Sequence, residues 1–130
     1  MNNPIKGVTI HPSPWSVKET IDRLLEFLQQ QGVTIYARID QQSELQKAGL
    51  SLWSLEYLLF GNPKAGGPVM QENPIAALDL PLKVIAWEDQ QKKVWIAYNE
   101  MAYVRDRYGL TDKVSTPLNL DGLIAKVLNH

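Results

Sequence analysis

Apolar side chains recur at two different spacings along this chain, and the switch between them predicts the elements. Val17, Ile21, Leu24, Leu25 and Leu28 fall at helical intervals, which predicts an amphipathic helix with one buried stripe. Ser16-Val17-Lys18-Glu19 matches a capping box at its start, and Gly32 supplies a stop. Leu120, Leu123, Ile124, Val127 and Leu128 predict a second such helix, reaching almost to His130. Val33, Ile35, Ala37 and Ile39 instead alternate with Thr34, Tyr36, Arg38 and Asp40, the period of a strand with one buried face. Shorter strands are expected over residues 6–11, ended by Pro12 and Pro14, and within 52–60. Residues 82–88 and 93–98 read as a hairpin whose connector Asp89-Gln90-Gln91-Lys92 lacks an Asn-Gly turn signal. Short helices are expected over 43–48, capped by Ser43 and stopped by Gly49, and from an Asn99 cap to Tyr108, with Gly109 at the end.

Strand, long helix, four strands with insertions and then C-terminal helices is an α+β order, not an alternating βαβ one. The expectation is one domain over residues 1–130, a mainly antiparallel sheet with helices on one face. Trp53, Trp87 and Trp95 are candidates to line the other face, which loops, a ligand or a second subunit would cover.

Composition narrows the function classes. The 130 residues are 45% hydrophobic and 21% charged with a formal net charge of −1, which argues against a nucleic-acid partner or an acidic membrane surface. No apolar run approaches the roughly 20 residues that span a bilayer, and the N-terminus has no apolar signal-type stretch. The absence of cysteine removes disulfides, thiolate metal sites and cysteine nucleophiles, and is compatible with a cytoplasmic address.

The candidate chemistry gathers where an apolar strand runs into Phe60-Gly61-Asn62-Pro63-Lys64-Ala65-Gly66-Gly67-Pro68. Glycines that expose backbone N–H groups, the Lys64 charge and the Asn62 carboxamide are what an anion site uses. The Walker A spacing and ending are absent. The competing structural reading gives Gly61 a positive φ, puts Asn62 and Pro63 in a turn, and lets Gly66 and Gly67 bring two segments close. Residues 61–73 are expected to be irregular with one helical turn over 69–72, and 75–78 to form a brief turn or helix before Pro81. Asp79, between Leu78 and Leu80, must be paired if buried; it either orients Lys64 or caps the loop, or acts as a base. His11 and His130 are the only histidines and are poorly placed to share a metal. Ser13, Ser16 and Ser54 lack a nucleophile-elbow context. Tyr98, Tyr103 and Tyr108 read as core or interface packing with polar tips.

Phe60-Gly61-Asn62-Pro63-Lys64, the Met70 that follows and Ala77-Leu78-Asp79-Leu80-Pro81 resemble the signature of the DUF302 family, and Ser16 to Thr20 and Ala37 to Asp40 are similar to its N-terminal half. The resemblance implies a compact TBP-like α+β domain (strand, helix, four strands, helix), commonly dimeric, with no assigned biochemical role. Asp40 is followed by Gln41 where many relatives carry His, and Gly66-Gly67 stands where relatives often have Gly-Thr. Metal or acid–base roles for that His do not transfer. The usual hairpin glycine is missing as well.

The expected function is a non-enzymatic domain, a homodimer, binding a polar or anionic small ligand or a partner, without cofactor, metal or catalytic constellation. Asn62, Lys64, Gly66 and Gly67 would contact the polar group, Asp79 would clamp the loop, and Trp87, Trp95 and Tyr98 would supply apolar walls. The alternatives are an enzyme using Lys64 or Asp79, and a structural protein whose dimer surface is its function.

Overall fold

The computed structural model describes residues 5–129, so the N-terminal four residues and His130, named above as one of two histidines, lie outside it. Five strands form one antiparallel sheet: β1 (Val8–Ser13), β2 (Thr34–Asp40), β3 (Leu55–Gly61), β4 (Leu82–Glu88) and β5 (Val94–Asn99), in the spatial order β1-β5-β4-β3-β2. The helices are α1 (Val17–Gln30), α2 (Gln41–Lys47), α3 (Pro63–Glu72), α4 (Met101–Tyr108), α5 (Asp112–Ser115) and α6 (Asp121–Leu128), with 3-10 segments at Pro74–Asp79 and Thr116–Leu118. The α+β class and the expected strand–helix–four-strand order hold.

α1 forms as its period predicts. Ser16 Oγ accepts from the Glu19 N–H at 3.1 Å, while the Glu19 carboxylate turns to Arg23 (3.2 Å) instead of back to the Ser16 amide. Ile21, Leu24 and Leu28 are fully buried, each contributing roughly 1.5–3 kcal/mol. They meet Leu58 and Phe60 of β3, Val84 and Ala86 of β4, Val94, Ile96 and Tyr98 of β5, and Leu120, Ile124 and Val127 from the α6 side. A second cluster gathers Val69, Ala76, Val104, Tyr108, Leu110 and Leu118, and Leu82 packs against both clusters.

Residues directly opposite in an antiparallel ladder share a face. The registers Trp87↔Trp95, Ile85↔Ala97, Ile10↔Ala97, Tyr57↔Ile85 and Ile39↔Tyr57 therefore place these side chains together on the face away from α1 and α6. Trp53 lies ahead of β3, outside this register and half exposed.

Several local expectations are corrected. Residues 63–72 are not an irregular loop with one turn but the helix α3: Asn62 caps it, Pro63 occupies its first turn and Pro68 lies inside it. Local propensity opposes such a helix, and the complete burial of Val69 outweighs it. Gly61 has no positive φ and ends β3 opposite Thr34. A Cβ built on Gly66 or Gly67 would meet nothing within 4 Å, so neither glycine serves a close approach. β1 continues through Pro12 to Ser13 because it pairs only with β5, and an edge strand tolerates a missing N–H. Asp40, not Ser43, caps α2, accepting from the Ser43 N–H at 2.9 Å. Asn99 ends β5, and Glu100 holds the cap position of α4 without a side-chain bond. In the hairpin Lys92 takes the left-handed conformation (φ 65°) in place of the missing glycine.

Candidate functional site

A cleft of about 590 Å³ opens where the two clusters meet. The exit of α1 forms one wall: Gly32 turns the chain with φ 72°, and the Val33 N–H returns to the Leu28 carbonyl at 3.1 Å, so Leu28 and Val33 both line the space. Next to them Tyr36 is the extra residue of a bulge between Ile35 and Ala37, a feature that re-aims a side chain. Its ring crosses Gly61, 3.4 Å from where a Cβ would stand. Phe60 and Gly61 form the floor with Leu80, Pro81 and Leu82; Ala65, Gly66 and Met70 of α3 form one side, and Leu118, Asn119, Leu120 and Leu123 the other.

No side chain lining the cleft is Asp, Glu, Lys, Arg or His. Its polar groups are the Tyr36 hydroxyl and two carboxamides, each half committed to the backbone. Asn62 Oδ1 accepts from the Lys64 N–H (3.0 Å) and Asn119 Oδ1 from the Asp121 N–H (3.0 Å). The Ala65 and Gly66 amides are likewise occupied, both donating to the Asn62 carbonyl at 2.9 and 2.8 Å. The first turn of α3 therefore offers no row of free amides to an anion.

The candidates chosen from sequence are not brought together. Asn62 and Gly66 line the cleft, whereas Gly67 and Lys64 lie on α3 outside it. Lys64 is exposed. Asp79 ends the first 3-10 segment; its Oδ2 accepts from Arg107 Nη1 at 3.0 Å and from the Tyr108 hydroxyl. That bond, followed by burial, raises the Tyr108 phenol above its ordinary value. Asp79 is thus paired, as a half-buried carboxylate must be, through side chains and not through amides of the 61–67 segment. It borders a smaller hollow of about 120 Å³ beside Lys83 and Asn99, which adjoins the large cleft through Pro81, Leu82, Leu118 and Leu120, but Asp79 itself does not line that cleft. Trp87 and Trp95 pair on the open sheet face, with Trp95 Nε1 donating to Asp89 at 2.8 Å. Tyr98 points the opposite way into the helix-side core, where its hydroxyl reaches Asp121.

Sequence reasoning missed most of the cleft. Leu28, Leu120 and Leu123 read as helix stripe, Val33 and Tyr36 as strand alternation, and Asn119 carried no signal beyond its place before a helix. Among the described residues no group of three or more His, Cys, Asp or Glu is placed to hold a metal, and no helix is long and apolar enough to cross a membrane.

Comparison with known proteins gives a family and a fold. The family model described as "Domain of unknown function DUF302" matches residues 9–127. A crystal structure of an uncharacterized conserved DUF302 protein from Bacillus stearothermophilus superposes with a TM-score of 0.80 at 20% identity, covering 96% of this chain and 98% of that one. Curated relatives include the fluoride-specific ion channel FluC 1 of Brucella suis and that of Brucella abortus. Each is 36% identical over 104 residues, or 80% of this chain. The chain spans only about two fifths of those relatives, 41% and 38% of their lengths.

Proposed function

Since the chain belongs to the DUF302 family, whose description assigns no role, we propose from the cleft itself that the domain binds an apolar small molecule. The observation that carries this is a cleft of about 590 Å³ without one Asp, Glu, Lys, Arg or His side chain in its lining, within the size range of small-molecule sites. Apolar contact with no charge to desolvate favours an apolar ligand over the anionic one expected from the Lys64 segment. A ligand of roughly 20 heavy atoms at about −0.3 kcal/mol per atom gives about −6 kcal/mol, a dissociation constant of tens of micromolar. Fluoride does not suit this space, because a small hydrated anion would lose water and meet no cation among the lining side chains. The channel relatives leave a role beside such a protein as part of the proposal, as is a cytoplasmic address.

The test is titration with an apolar fluorescent probe, repeated on Gly61→Val. That side chain would meet the Tyr36 ring and Pro81, 3.4 and 3.9 Å from the Cβ position, and fill part of the cleft without a backbone conflict. Probe affinity should drop several-fold; absence of probe binding to the native chain would overturn the reading.

A second reading concerns the open sheet face. Ile10, Ile85, Trp87, Trp95 and Ala97 share it, and we place a homodimer contact there. Sedimentation at increasing concentration should show a dimer that Trp87→Lys dissociates. A monomer at all concentrations would refute this second reading and leave the cleft untouched.

A further inference from the structure

Two carboxamides and the character of the walls narrow the ligand of the cleft, on the premise that the cleft binds an apolar molecule at all. Asn62 and Asn119 both line it. Each spends its Oδ1 on a backbone N–H at the start of a helix, and neither Nδ2 has a partner among the described residues. The spare groups are therefore donors, and a ligand that satisfies them must bring an acceptor. That acceptor is best uncharged: with no cation in the lining, an ionised head would be stripped of water without a counter-charge. The walls are mostly aliphatic, with Phe60 and Tyr36 the only aromatic rings; Met70 adds an adaptable surface. Flat aromatic ligands gain most from stacking faces, which such walls mostly lack. The volume corresponds to roughly 20 water-sized groups.

We propose that the ligand is a neutral aliphatic chain ending in an ester or amide carbonyl, its chain packed in the cleft and its carbonyl oxygen held by the Asn62 and Asn119 carboxamide N–H groups. Asn62→Asp and Asn119→Asp separate donor from cap, since aspartate keeps an oxygen for the Lys64 or Asp121 amide but loses the N–H; it also adds a charge, whose general effect on the cleft naphthalene reports.

The experiment is displacement titration of the full chain with a medium-chain fatty amide, its methyl ester, the corresponding free fatty acid at about pH 8, and naphthalene. Backbone amide shifts in NMR spectra locate each compound. Amide and ester should bind at the cleft, with the ionised acid roughly tenfold weaker, a difference of 1.4 kcal/mol. Each aspartate variant should weaken amide and ester about 2- to 10-fold, the range of one neutral hydrogen bond, and leave naphthalene unchanged. Naphthalene binding at the cleft with amide and ester no tighter than the acid would overturn this assignment while sparing the apolar-ligand reading. Binding of none of the four would overturn both. Aspartate variants that hold the ester as tightly as the native chain would remove Asn62 and Asn119 from the head site.

Discussion

The Tyr98 hydroxyl donates to Asp121 Oδ1 at 2.6 Å, tying β5 to the first turn of α6 from inside the core. His11 Nε2 lies 3.4 Å from the same hydroxyl. Burial first, and the Asp121 carboxylate second, push the Tyr98 phenol well above its ordinary value. A raised pKa in the folded state favours the neutral phenol there. Its stabilising share is complete below the unfolded value near pH 10 and is lost as pH rises through the folded one. Urea midpoints should therefore fall between about pH 9 and pH 11, and fall less in Tyr98→Phe. Near neutral pH the same variant should lose about 1.5–3 kcal/mol, since the lost bond is to a charged acceptor. Parallel pH profiles for the two chains would show that Tyr98 is not the group responsible.

Arg38 joins two carboxylates across 34 residues of chain, as Glu56 is reached by its Nε at 2.8 Å and Asp22 by Nη1 at 2.6 Å. Glu56 is buried, so Arg38→Met would strand a charge. The expected cost is roughly 3 kcal/mol, the lower end for broken buried pairs. Adding Glu56→Gln should recover most of it, and a double variant no better than Arg38→Met would refute the pairing. Lys18 and then Arg38 hold the Asp22 carboxyl below its usual range. That contribution is present above about pH 4 and disappears as pH falls through the folded value.

Lys92 holds a left-handed conformation at φ 65°, which costs a side-chain-bearing residue about 1–2 kcal/mol relative to glycine. The turn survives because the Asp89 carboxylate accepts from the Gln91 and Lys93 amides, both at 2.9 Å. Lys92→Gly should raise the thermal midpoint, reflecting a gain of about 0.5–1 kcal/mol in stability once the freer unfolded chain is counted. Lys92→Val should lower it, and a midpoint unmoved by either change would place the strain elsewhere.

What the sequence discloses here depends on how local the cause is. Ser16 and the stripe from Val17 to Leu28 announce α1 because cap and period both lie within it. The hairpin strands were legible, with ends within a residue, from alternation alone. α3 was hidden, since Gly66, Gly67 and Pro68 speak against a helix, and what holds it includes distant contacts, Val69 in a remote cluster and Glu72 with Thr111. The bulge at Tyr36 has no local mark either: Tyr36 sits in an unbroken alternation and is displaced by pairing with β3. The cleft follows the same rule. Of the residues chosen for their chemistry only Asn62 and Gly66 reach it, because its walls come from segments that look like ordinary core.

Leu82 touches both hydrophobic clusters, and the cleft lies along the line where they join. The domain thus has a seam, and a molecule bound there would act as mortar between two masonry blocks. An empty seam is expected to let α3, α4 and α5 open together at lower protection than α1 and the sheet. An occupied one ties their opening to that of the whole domain, so that hydrogen exchange in α3 would slow to the pace of β4.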